Sequence, residues 1–88
     1  MQPTSHFDAS AINRLRGLIS DLRWRLRLID ADIQEEERKA GISEPTKPTY
    51  PMLALALRER RDNLLATVSM LQRQLDMMAS SADWTRAA

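Results

Sequence analysis

The chain has 88 residues, thirteen basic and twelve acidic side chains, no cysteine and a mean hydropathy of −0.44. That length holds one small core, the near-cancelling charge supplies no overall field toward nucleic acid or an anionic membrane, and the lack of cysteine excludes disulfide and thiolate chemistry. With no basic start or apolar run in Met1–Ser5, and nowhere the roughly twenty consecutive apolar residues of a membrane span, the expectation is a soluble, cytoplasmic protein.

Residues 1–7 carry Pro, Thr and Ser with no helical period, and are expected to form a mobile arm. Asp8 or Ser10 supplies a short side-chain oxygen that can cap a first helix. The apolar residues Ile12, Leu15, Ile19, Leu22, Leu26, Ile29 and Ile33 then recur at alternating spacings of three and four, which puts them along one side of a helix over 8–40. Arg38-Lys39-Ala40-Gly41 reads as its stop: cations near the last carbonyls, then a residue free to take positive φ, with Ile42 placed to pack back in a Schellman-type ending.

The loop over 41–50 contains Pro45 and Pro48, with Pro51 just beyond. Each proline disfavours helix in the residue before it, so Glu44, Lys47 and Tyr50 are expected to be extended. The Pro45, Pro48, Pro51 spacing resembles a polyproline II ligand, but a stiffened connector is the simpler use of such a run. Pro51 suits the first turn of a second helix over 51–82. Its seam is Ala54, Leu57, Arg61, Leu64, Val68, Leu71, Leu75, Met78 and Ala82. The helix is expected to fray through Trp84, leaving a tail at 85–88.

Two such helices and one short loop specify an all-α fold, an antiparallel coiled-coil-like hairpin forming a single domain over 8–84. In a hairpin, residues at one height have numbers that sum to a constant, and a sum near 94 sets Glu35, Glu36 and Glu37 beside Arg58, Arg60 and Arg61. Glu36 and Arg61 both fall on seam positions, so they are the expected register pair. A second apolar stripe remains on each helix: Gly17, Trp24, Leu28 and Ala31 on the first, Ala66, Met70 and Met77 on the second. The same register places Trp24 level with Met70 and Gly17 with Met77. A lone hairpin has nothing to cover these stripes, so dimerisation into a four-helix bundle through Trp24, Leu28, Met70 and Met77 is expected.

No catalytic, metal-binding or cofactor-binding constellation is present. His6 is the single histidine, the glutamate run lacks a Glu-x-x-His spacing, and two glycines make no phosphate-cradling loop. The functional expectation is therefore a non-catalytic protein–protein interaction or scaffold module, not an enzyme, with a second copy as partner and no membrane contact. Two other readings stand beside it. Arg16, Arg23 and Arg27, within the Arg14–Arg27 cluster, could contact an anion or nucleic acid, although the acidic half of a second copy could satisfy them equally and no interleaved aromatics or helix-turn-helix spacing support the nucleic-acid reading. A small chaperone or adaptor that covers an amphipathic helix of a client protein would also use the second stripes.

Overall fold

The computed structural model describes the backbone of residues 9–87 and the side chains of residues 9–81. The expected arm at 1–7, with His6, and the cap candidate Asp8 lie outside the described residues. Two helices, α1 (Ala9–Ala40) and α2 (Met52–Ala87), pack against each other, and there are no strands among the described residues. The hairpin is a rod of 60 × 18 × 18 Å. Ser10 lies inside α1, where its Oγ accepts from Arg14 Nη1 at 2.8 Å. The backbone of α2 continues through the stretch expected to fray and into the expected tail.

α1 ends as its residues dictate. Gly41 takes φ 70°, its N–H donates to the carbonyls of Glu37 and Arg38, and the Ile42 N–H donates to the Glu37 carbonyl at 3.2 Å. This is the paired bonding of a Schellman motif, and it satisfies carbonyls that would otherwise be orphaned.

The loop departs from the extended proline run. The Lys47 N–H donates to the Glu44 carbonyl, and the Tyr50 N–H to the Lys47 carbonyl, giving two successive four-residue turns. Glu44-Pro45-Thr46-Lys47 and Lys47-Pro48-Thr49-Tyr50 each place proline at the second position, where its fixed φ is already the turn value. Glu44, Lys47 and Tyr50 occupy turn ends, so the restriction before proline is met at each. A polyproline II helix has no internal hydrogen bonds, and this hydrogen-bonded loop is a connector. The Pro51 carbonyl then accepts from Leu55 N–H, opening α2.

The seam is unequally buried. Ile12, Ile19, Leu26 and Ile33, seven residues apart, point straight at α2 and are buried. Leu15, Leu22 and Ile29, the alternate positions, are only partly covered, as are Leu57, Leu64 and Leu71 on α2. At about 100° per residue, both half-buried sets lean toward the same broad side of the rod. One side of the core is thus left unfinished.

Candidate functional site

Among the described residues, a cleft lies between the helices on each broad side. On the unfinished side, Arg25, Leu28 and Ile29 of α1 and Arg60, Asn63, Leu64 and Thr67 of α2 line a groove of about 520 Å³. On the opposite side, Arg16, Ile19, Ser20, Arg23 and Arg27 face Gln72 and Leu75 across a smaller one of about 210 Å³. The three arginines singled out from sequence are therefore brought together on one surface. Arg23 Nη2 donates to Gln72 Oε1 at 3.0 Å, and Gln72 Nε2 donates to Asp76 at 3.0 Å. The Arg27 guanidinium lies over the Trp24 ring, 5.2 Å from its centroid.

The four residues expected to form one association face are divided between two flanks of the rod. Trp24, Leu28, Met70 and Met77 are all exposed. Trp24 and Leu28 sit on the side of α1 away from α2, however, and Met70 and Met77 on the side of α2 away from α1. These are opposite flanks of the rod. Being level along the axis is not the same as sharing a side, because two helices that turn their seams together turn their backs apart. Of the four, Leu28 alone borders the groove on the unfinished side.

The expected register pair is also rearranged. Arg61 binds Asp30 at 3.2 Å and its neighbour Asp62 at 3.6 Å, whereas Glu36 pairs with Lys39 one turn along its own helix. Glu36 is nearly a turn beyond the height of Arg61 and on the other edge of the seam from Asp30, which explains the exchange. Arg61 Nε is buried with no hydrogen-bond partner, so this seam arginine is incompletely satisfied. The cross-helix bonds Arg23–Gln72 and Arg58–Glu37 have numbers summing to 95, and Asp30–Arg61 to 91. They bracket the expected register.

The best-built polar cluster was not anticipated in full. Tyr50, the last loop residue, is buried beneath the start of α2. Its OH donates to Glu37 Oε2 at 2.7 Å and accepts from Arg58 Nε at 2.7 Å, while Arg58 Nη2 donates to the same carboxylate oxygen at 2.8 Å. One triad thus ties α1, the loop and α2 together. The Tyr50 hydroxyl first, and then Arg58, holds the Glu37 carboxyl below its ordinary value, and the same bonds raise Arg58. Nearby, the hydrogen bond from Arg38 lowers Glu35. A tyrosine immediately before Pro51, about two turns before Arg58, was the available signal.

Among the described residues, no group of three or more His, Cys, Asp or Glu side chains is placed to hold a metal ion, and no helix is long and apolar enough to cross a membrane. No protein-family model, curated protein or solved structure matches the chain.

Proposed function

We propose that this hairpin is a non-catalytic interaction and scaffold module that associates with a second copy into a four-helix bundle through the unfinished broad side. One observation carries the reading. Leu15, Leu22, Ile29, Leu57, Leu64 and Leu71 are seam residues left half-covered on that side, and exposed Leu28 extends the same surface. Apolar surface of this kind, repeated along a whole rod, is stabilised by covering it.

Charge favours a second copy as the cover. On α1, the half near the chain terminus holds Arg14, Arg16, Arg23, Arg25 and Arg27 against Asp21. The α1 half near the loop carries Asp30, Asp32, Glu35, Glu36 and Glu37 against Arg38 and Lys39. An antiparallel second copy sets one half against the other. The test is thermal unfolding at increasing protein concentration. Association coupled to folding raises the melting temperature with concentration; a melting temperature independent of concentration over a hundredfold range contradicts the reading.

A second reading rests on the opposite side. Among the described residues, Arg16, Arg23 and Arg27 have no carboxylate within 4.0 Å, and they border one groove with Gln72 and Ser20. Such a strip can take the phosphates of a nucleic-acid strand, with binding that weakens steeply as salt rises. Titration of a labelled single-stranded oligonucleotide, before and after Arg16, Arg23 and Arg27 are changed together to Gln, decides it. Equal binding by the two proteins excludes these residues as the contact.

A further inference from the structure

We propose that the second copy pairs antiparallel along α1, α1 against α1, through the strip Arg14, Leu18, Asp21, Arg25, Leu28 and Asp32, with the two-fold axis at the height of Arg23. The inference rests on the self-association reading above and names the surface and register it uses.

The strip follows from helix geometry. Its spacings are four, three, four, three and four, so its members form one line along α1, roughly 110° around the helix from the core seam. That line faces the unfinished side, where Arg25 and Leu28 form the α1 wall of the larger groove. Leu18 is 46% exposed and Leu28 49%.

Its order is Arg-Leu-Asp-Arg-Leu-Asp. Turned end for end, it becomes the complement of itself. An antiparallel copy centred at the height of residue 23 sets Arg14 against Asp32, Leu18 against Leu28, and Asp21 against Arg25, and a two-fold axis repeats each pair. Sliding by one helical turn puts Leu18 against Asp32 and Arg25 against itself. Parallel in-register pairing opposes like charges at all four charged positions. The strip therefore specifies orientation and register together, rejecting alternatives by repulsion as well as favouring one by attraction.

The hairpin itself leaves these charges unused. Arg38, Lys39, Arg58 and Arg61, toward the loop, all make ion pairs, but among the described residues Asp21, Arg25 and Asp32 make none. Among the described residues, Arg14 donates to the Ser10 hydroxyl alone. The groove is bordered by two cations, Arg25 and Arg60, and by no anion; Asp21 of the second copy supplies one. Across from the strip, α2 presents Asn63, Leu64 and Thr67 to the same groove.

Charge exchange in the full chain tests this. Arg25→Asp replaces two attractive pairs with two like-charge oppositions, and should raise the dimer dissociation constant by about tenfold or more. Asp21→Arg should do the same. The double variant Asp21→Arg/Arg25→Asp should return to within about threefold of the parent, because the exchanged pair is again complementary. A cysteine-free chain also permits a spin label at Lys39→Cys, where this pairing separates the two labels by about 48 Å along the axis. A bundle that sets α1 against α2 of the second copy brings them within about 20 Å. A parent dimer that is unaffected by Arg25→Asp, is not restored in the double variant, or shows the short label distance overturns this pairing while self-association stands. A parent protein that is monomeric at all concentrations overturns both.

Discussion

Removing one oxygen from Tyr50 tests how the loop is held. Tyr50→Phe keeps the buried ring, 5.7 Å from the Arg58 guanidinium, and deletes a hydroxyl that donates to Glu37 and accepts from Arg58. Glu37 retains its bond from Arg58 Nη2, but Arg58 Nε loses its partner in a part-buried position. Two hydrogen bonds at the usual net value, with one donor left unsatisfied, amount to about 1–2 kcal/mol. For a domain of this size that lowers the melting temperature by roughly 5–10 °C. Circular dichroism at 222 nm on parent and variant, at equal protein concentration because association contributes to both melts, reads the difference. Melts that coincide within about 1 °C would mean that the triad holds nothing the helices do not already hold. Adding Glu37→Gln provides the control: residues in one network should give a double variant less destabilised than the two single effects combined.

Glu37 and Glu35 titrate below their ordinary values in the folded protein, so the stability they contribute is present above the unfolded carboxylate value and is lost as pH falls through the lower folded values. The melting temperature should hold between about pH 7 and 5 and drop below about 4.5, less steeply in Tyr50→Phe; equal slopes for parent and variant refute the linkage. The two glycines should respond with opposite sign: Gly17→Ala, in open space within α1, gains up to about 1 kcal/mol in helix propensity. Gly41→Ala, at φ 70°, loses about 1–2 kcal/mol to backbone strain; urea unfolding of both variants checks the pair. Leu28→Arg should dissociate the bundle, and Trp24→Arg, on the outer flank beside Arg27, should leave its mass unchanged. The reverse order in gel filtration with light scattering would move the interface to that flank.

Helix positions, hairpin topology and the ending of α1 at Gly41 were legible because each depends on local signals. Alternating spacings of three and four dictate a helix side, and Gly41 followed by Ile42 is a complete stop. The turns at Pro45 and Pro48 were legible as proline but not as turns, since the carbonyl–amide bonds that close them lie in the backbone rather than in side-chain pattern. Arg61 was readable as a seam residue. Its partner was not, because a long side chain chooses between acids a turn apart on either edge of the seam, and Asp30 and Glu36 differ in edge more than in height. Tyr50 was hidden for a similar reason: its role needs the loop to fold back under Arg58. Trp24 and Met70 were correctly read as facing away from their seams, yet two outward faces on packed helices diverge. The self-complementary order from Arg14 to Asp32 was present in the sequence throughout. It gained meaning once Leu18 and Leu28 were placed on the exposed side where the core is unfinished.

The most direct test of the account is absolute molar mass by light scattering across a dilution series, at neutral pH and moderate salt. Self-association through the unfinished side predicts a mass twice the 10.1 kDa chain at tens of micromolar, falling toward the single-chain mass on dilution and with rising salt. A mass of one chain at every concentration would contradict it, leaving Leu28 and the half-covered seam open to a different protein's helix.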